Sequence, residues 1–271
     1  MSKSVLITGC SSGIGYDTAH FLHNQGYKVY ATCRDEVDVK RLQKEGLDSF
    51  KLDVTCKEDI QNAFERFGKN EPLYALFNNA GYGQPGAIED ISTEALREQF
   101  ETNFFGTYAL TREALKIMRK QGYGRIIEHS SILGLISLRF RGAYNASKYA
   151  IEGLSDTLRL ELRDTDIHVI TINTGPVESN FRKNAIAKFY EHISMQSSIY
   201  KDAYEKQVLL AKSSDDDFFT QKSDVVIKNI IHALESAQPK PRYYNTLATH
   251  ILAFMKRLLS TKFLDNLLIR I

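Results

Sequence analysis

Short apolar runs alternate with longer stretches of helical period along most of this 271-residue chain, and that alternation admits few folds. Strands are predicted at Ser4–Thr8, Lys28–Thr32, Ser49–Leu52, Leu73–Asn78, Arg125–Ser130 and His168–Asn173, with a short seventh near Arg242–Tyr244. Helices are predicted to begin near Gly13, Val37, Lys57, Thr93, Tyr144 and Ser223. Val5-Leu6-Ile7 and Ala75-Leu76-Phe77 are apolar at consecutive positions, as strands are when helices cover both faces of their sheet. The pattern predicts an α/β chain built on a doubly wound parallel sheet of about seven strands. Thr55, with Glu58 three residues on, reads as a capping box, and Ser92 as the cap of a helix running towards Met118.

Composition removes several classes of function. The 35 Lys and Arg are scattered among 33 Asp and Glu, so no basic stripe for nucleic acid is expected. Cys10, Cys33 and Cys56 are odd in number and lack Cys-x-x-Cys spacing, which suggests no disulfide framework, no metal site and a reducing compartment. Neither a secretory leader nor a run of about 18 apolar residues is apparent, so cytoplasmic residence is the expectation. No repeat or Pro/Ser-rich linker divides the chain, which is read as a single domain over residues 1–271. Residues 4–180 would form its frame. Residues 180–222, rich in Phe181, Phe189, Tyr190, Met195, Tyr200, Tyr204, Phe218 and Phe219, read as a helical substrate lid.

The first strand runs into Thr8-Gly9-Cys10-Ser11-Ser12-Gly13-Ile14-Gly15 and then a helix with Ala19, Leu22 and His23 inward. At such a junction Gly9 turns the chain, Gly13 lets backbone N–H groups approach a pyrophosphate, and Gly15 lets helix and strand pack closely. This is a Rossmann-type dinucleotide turn, although its Gly-x-x-x-Gly-x-Gly spacing differs from the general fingerprint. The second strand ends in Tyr30-Ala31-Thr32-Cys33-Arg34 with no acid before Arg34. A guanidinium there suits the 2′-phosphate of NADP(H), with Ser11 or Ser12 adding a hydroxyl. The competing reading is a solvated Arg34 paired with Asp35 or Glu36.

Tyr144 and Lys148 are one turn apart on a predicted helix, and Ser131 stands at the C-terminal end of a strand, where open α/β sheets bind ligands. The trio suits carbonyl reduction and its reverse. Tyr144 would give a proton to the carbonyl oxygen, Ser131 would donate a second hydrogen bond, and the Lys148 ammonium would lower the phenol pKa.

With these motifs the chain resembles the short-chain dehydrogenase/reductase family. Thr8-Gly9-x-x-x-Gly13-x-Gly15, Asn78-Asn79-Ala80-Gly81, Asn103, Ser131 and Tyr144-x-x-x-Lys148 match in order and spacing across about residues 4–180. The resemblance implies that Lys148 also holds the nicotinamide ribose, Asn103 supports the active site and a relay water, and Asn79, with Ala80 and Gly81, borders the cofactor. It further implies that Asp53 and Val54 contact adenine, that Ile14 belongs to the phosphate turn, and that Arg34 is the basic position of NADP-preferring members. Gly175-Pro176-Val177 and Lys240-Pro241-Arg242-Tyr243 resemble the branch of retinol dehydrogenases, 17β-hydroxysteroid dehydrogenase type 1 and bacterial NADP-dependent aldehyde reductases. Thr174 replaces a usual proline, and Ser179 stands where a threonine usually meets the carboxamide. Homodimers or homotetramers, packed through the helices from Thr93 and Tyr144, are implied as well.

The expected activity is therefore NADP(H)-dependent hydride transfer with an apolar aldehyde, ketone or alcohol, the alternatives being a hydroxysteroid or retinol-type dehydrogenase and a non-catalytic NADP-binding sensor. His129 beside Ser130 and Ser131 invites a hydrolase reading, but no Gly-x-Ser-x-Gly elbow frames either serine, and a packed structural histidine is expected. In the tail, 247–271, Ile251, Phe254, Leu258, Phe263, Leu264, Leu267, Leu268 and Ile271 form an apolar stripe among Lys256, Arg257, Lys262 and Arg270. Packing over the pocket or a subunit is the first reading of that stripe, and a membrane surface the second.

Overall fold

The computed structural model describes residues 3–68, 71–213 and 221–270, so Phe218, Phe219 and Ile271 lie outside the described residues. The strands are β1 (Ser4–Thr8), β2 (Lys28–Cys33), β3 (Asp48–Lys51), β4 (Ala75–Asn78), β5 (Tyr123–Ser131), β6 (Asp166–Thr174) and β7 (Arg242–Tyr244). The helices are α1 (Gly13–Asn24), α2 (Glu36–Lys44), α3 (Lys57–Phe64), α4 (Thr93–Phe100), α5 (Thr107–Gln121), α6 (Gly142–Glu161), α7 (Phe181–His192), α8 (Lys201–Ser213), α9 (Asp224–Glu235), α10 (Leu247–Leu258) and α11 (Thr261–Leu268).

All the strands join one parallel sheet in the order β3-β2-β1-β4-β5-β6-β7, which is the Rossmann arrangement. The chain winds outward from β1 to β3, then crosses back to β4. That reversal opens a crevice at the carboxyl ends of β1 and β4, where doubly wound sheets take their ligands. Side-chain alternation explains the unbroken apolar runs. Val5 and Ile7 join Ala19 and Leu22 of α1 and Val226 and Ile230 of α9 in one cluster, while Leu6 joins Leu110, Ala114 and Met118 of α5 in another. Each Val, Leu, Ile or Met among them contributes roughly 1.5–3 kcal/mol by leaving water. Arg125 ties β5 to the end of α9 through Nη1 to the Ala233 carbonyl (2.7 Å) and Nη2 to that of Ser236 (2.8 Å).

Three local expectations are corrected. Cys56, not Thr55, is the N-cap of α3 and makes no side-chain capping bond with the helix backbone; the Thr55 hydroxyl instead donates to Asp53 Oδ1 at 2.8 Å. Glu58 is then one position short of a capping box. His23 is exposed, leaving Ala19 and Leu22 as the inward stripe. The helix capped by Ser92, whose Oγ accepts from the Ala95 N–H at 3.1 Å, is not continuous to Met118: α4 passes into a π turn at Glu101–Gly106 before α5 begins.

Beyond β6, α7 and α8 stand over the carboxyl end of the sheet, with Phe140, Phe189 and Tyr204 packed between them and the body. The tail folds back. Leu264 and Leu268 of α11, with Leu252 and Met255 of α10, pack on Ile132 and Ile136 just after β5, while Leu247, Ile251, Phe254 and Leu258 face outward. Among the described residues no helix is long and apolar enough to cross a membrane.

Candidate active site

At the end of β1 the chain takes a left-handed conformation at Gly9 (φ 72°) and again at Gly13 (φ 60°), which side chains other than glycine adopt only with strain. A Cβ on Gly15 would lie 2.4 Å from Asn79 Nδ2, so its absence lets α1 seat against the end of β4. No acid stands in the first turn of α1, and the Ser12 hydroxyl spends no bond on capping it. The positive helix end and its hydroxyl are thus left for an anion, as a dinucleotide pyrophosphate requires. Ile14 is buried beneath the turn. Over it lies the loop Gly175–Ser179, close enough that a Cβ on Gly13 would be 3.1 Å from that of Ser179. The loop is pinned where the Gln221 N–H donates to the Pro176 carbonyl (3.2 Å) and the Glu178 N–H to that of Gln221 (2.9 Å), and Val177 packs on the core.

The other expected cofactor positions are spread along the same sheet end. Arg34 follows β2 with its side chain 73% exposed and 3.9 Å from Asp35, a spacing too open and wet to hold it in place. Arg41, which the sequence reading passed over, donates from Nη2 to the Ser11 carbonyl at 2.6 Å. Asp53 and Val54 follow β3. The Asp53 N–H meets Asp59 Oδ2 (2.9 Å) and Val54 is buried. Asn79 and Ala80 both donate their N–H groups to Thr8 Oγ1, at 3.1 and 3.0 Å. Gly81 lies against Asn103.

Asn79 also begins a chain of hydrogen bonds whose polarity follows from chemistry. Its Nδ2 donates to the Thr8 and Gly9 carbonyls (2.9 and 3.1 Å), so Oδ1 faces His129 Nδ1 (2.9 Å) as acceptor. His129 therefore carries its proton on Nδ1, and Nε2 accepts from Thr174 Oγ1 at 3.0 Å. Asn245 donates in turn to Thr174 Oγ1 (3.0 Å) and accepts from Asn229 (2.5 Å). Burial and the Lys148 charge push the His129 pKa down to about 3, so the imidazole is neutral. It is a hydrogen-bonded structural histidine as expected, although it borders the cofactor cradle instead of turning from it.

Ser131, Tyr144 and Lys148 come together at the end of β5. Ser131 Oγ lies 3.3 Å from the Thr174 carbonyl and accepts from the Leu133 N–H (3.1 Å), whereas Ser130 points towards Gly134 and its Oγ has no partner among the described residues. Burial raises the Tyr144 pKa to about 12, opposed by a hydrogen bond with Ser131. This corrects the expectation of a phenol acidified by lysine. Lys148 Nζ is 5.8 Å from the Tyr144 ring centre and donates to the His129 carbonyl at 2.5 Å. Burial lowers its own pKa to about 8, against the pull of Glu128 and Glu152. Asn103, in the π turn, uses Oδ1 to accept from the Tyr82 N–H (3.1 Å) and Nδ2 to reach the Tyr82 carbonyl (2.9 Å) and Ser147 Oγ (3.2 Å). It thereby fastens the segment after Gly81 to α6. Glu128, beneath Lys148, was not singled out from the sequence, where it reads as an ordinary strand residue.

In front of Tyr144 lies a cavity of about 190 Å³ with mostly apolar walls, formed by Phe181, Ile186 and Phe189 of α7, Tyr204 and Val208 of α8, and Leu133. The Tyr144 and Phe181 rings are 5.3 Å apart.

Residues 3–188 match the family model for short chain dehydrogenases. The chain is 39% identical over 270 residues to the uncharacterized oxidoreductase YbbO of Escherichia coli, covering 99% of this chain and 94% of that one. It is 29% identical over 269 residues to human 17-beta-hydroxysteroid dehydrogenase type 1, covering 89% and 77%. A short chain dehydrogenase/reductase from Burkholderia phymatum, solved with NAD, shares the fold at a TM-score of 0.79 and 24% identity, over 95% of this chain and 93% of that one. The chain belongs to the short-chain dehydrogenase/reductase family, oxidoreductases that act on alcohol and carbonyl groups with a nicotinamide cofactor.

Proposed function

We propose that the chain is an NADP(H)-dependent reductase of aldehydes or ketones borne on apolar molecules, the same residues serving the reverse oxidation. The observation that carries this reading is Tyr144, set between Ser131 and Lys148 on one side and an apolar cavity on the other. When bound, the reduced nicotinamide supplies the hydride. Tyr144, kept neutral by burial, gives its proton to the carbonyl oxygen, and the Ser131 hydroxyl donates a second hydrogen bond to that oxygen. Lys148 holds the ribose hydroxyls and offsets the negative charge left on the phenolate oxygen. Asn103 is a positioning residue, bonded to Tyr82 and Ser147. The cradle from Gly9 through Ser11, Ser12, Gly13, Ile14 and Gly15 takes the pyrophosphate, Asp53 and Val54 the adenine, and Asn79, Ala80 and Gly81 the cofactor edge. Gly175, Pro176, Val177 and Ser179 cover the nicotinamide end.

The 2′-phosphate falls to Arg34, free to swing because its ion pair among the described residues is long, with Arg41 anchored nearby on the Ser11 carbonyl. Free thiols at Cys10, Cys33 and Cys56 suit the reducing cytoplasm. Similarity to a hydroxysteroid dehydrogenase makes a steroid or retinoid alcohol the second reading for the same cavity. A silent NADP sensor is disfavoured because it has no need of a serine and lysine gathered on a buried phenol.

The test is NADPH absorbance against aliphatic and aromatic aldehydes, ketosteroids and retinal. Tyr144→Phe is expected to lower kcat by roughly 100- to 10,000-fold while NADPH still binds; retained turnover overturns the mechanism, and tight NADPH binding by a wild-type protein inert on the whole panel favours the sensor. Arg34→Ala is expected to weaken NADPH about tenfold or more relative to NADH. An equal loss for both removes the phosphate assignment.

A further inference from the structure

The cavity before Tyr144 is mostly apolar, and its charged lining residues are two arginines. Arg141 lies three residues before Tyr144 at the N-cap of α6, and Arg182 stands in the first turn of α7. Arg141 Nη1 donates to the Phe140 carbonyl at 3.0 Å and to Gln207 Oε1 at 3.3 Å. Among the described residues no carboxylate pairs with Arg141, and no acceptor meets its Nη2 or Nε. Withdrawing a guanidinium from water without a counter-ion is costly, and burial together with the Arg182 charge already lowers its pKa.

Nor does the fold gain from a cation at this place. The N-terminal end of a helix is its positive end, so α6 itself repels Arg141. The preceding residue adds strain. Phe140, at φ 57°, is the one non-glycine residue with positive φ among the described residues, and its conformation sets the direction in which the chain enters Arg141. The two electrostatic costs at this position of the cavity, an unpaired guanidinium and its place at a positive helix end, are both offset if an anion binds there.

The geometry points to a substrate that carries an anionic group, carboxylate or phosphate, on an otherwise apolar carbonyl compound, with Arg141 as the receptor for that group. The Nη2 and Nε edge, without an acceptor among the described residues, offers two parallel donors, the fork that planar oxyanions accept. This deepens the reductase reading and rests on it: the reaction consumes an oxo acid or oxo phosphate ester and yields the hydroxy compound.

The test compares para-formylbenzoate with its methyl ester, and adds para-formylphenyl phosphate to separate the two anions. With NADPH, kcat/KM for one of the anions is expected to exceed that for the ester by at least about tenfold. Arg141→Gln is expected to bring that ratio to within about twofold of unity, and Arg141→Lys to leave it in between. Because acid and ester are compared on the same preparation, the ratio does not depend on how much of a variant folds. Equal values for anions and ester in the wild-type protein, or a preference that survives Arg141→Gln, overturn the arginine site and leave the reductase reading intact. Turnover of neither anion nor ester, nor of the wider carbonyl panel, overturns the reductase reading. In that case calorimetric titration of benzoate and phenyl phosphate into NADPH-saturated protein decides the site by itself: binding lost in Arg141→Gln supports it, and no binding to the wild-type chain ends it.

Discussion

At the scale of single residues, two buried groups behind the site titrate in opposite directions. Glu128 accepts from Asn78 Nδ2 (3.0 Å) and Thr111 Oγ1 (2.9 Å), its Oε2 has no partner among the described residues, and burial raises its pKa to about 7. The folded state therefore holds this proton more tightly than the unfolded chain does. Its contribution is fully present below the ordinary value of 4.5 and is lost as pH rises to about 7, on the order of 3 kcal/mol in all. His129 does the reverse. Its pKa is depressed from 6.5 to about 3, so its contribution is present above 6.5 and is lost as pH falls towards 3. Between about 4.5 and 6.5 the two slopes cancel. In Glu128→Gln the amide keeps an acceptor for Asn78 and Thr111 and has no proton to lose. The variant is expected to gain stability over the wild type at pH 8, and its unfolding free energy should climb across the window where the wild type is flat. Chemical denaturation at half-unit pH steps measures both curves, and parallel profiles would refute the assignment.

At the scale of elements, what the sequence made legible is what local chemistry decides. The strands are readable because Val5-Leu6-Ile7 and Ala75-Leu76-Phe77 need cover on both faces, and the phosphate turn because Gly9 and Gly13 occupy a conformation that other residues avoid. Ser131, Tyr144 and Lys148 are readable because strand end and helix pitch bring them together without knowledge of the rest. The misses have tertiary causes. Thr55 resembles a cap, but Asp53 captures both its N–H and its hydroxyl and moves the helix start by one residue. The π turn at Glu101–Gly106 leaves no mark on apolar period, yet it delivers Asn103 to Tyr82 and Ser147. The acidified phenol was expected from the spacing of Tyr144 and Lys148, but spacing does not weigh burial, which dominates both groups. The path from Asn229 through Asn245, Thr174 and His129 to Asn79 joins residues that only the folded sheet brings close. It also gives Thr174, conspicuous in the sequence for replacing a proline, a definite task as a hydroxyl link between β5 and the segment after β7.

At the scale of the whole molecule, two groups of large apolar side chains stand exposed among the described residues. Phe105, Tyr108, Tyr149 and Leu160 are exposed on the π turn, α5 and α6. The second is the outer side of the tail, where Leu247, Ile251, Phe254 and Leu258 are exposed beside Lys256 and Arg257. Leu264 and Leu268 already cover Ile132 and Ile136, so the tail is fixed to the segment that follows Ser131 whatever its outer side meets. The two surfaces make separable predictions. The chain is expected to sediment as a dimer or larger assembly, above the 30.8 kDa of one copy. Tyr108→Asp with Leu160→Asp is expected to reduce it to a monomer that still binds NADPH, because a carboxylate buried in an apolar contact costs more than such a contact returns. If that pair leaves the assembly intact while Ile251→Asp with Phe254→Asp dissolves it, the tail is the interface. If neither pair matters to assembly but the tail pair releases the protein from vesicles of anionic phospholipid, the basic apolar stripe is a lipid-binding face. A wild-type chain that sediments as one copy at all concentrations overturns the pairing of subunits through α5 and α6.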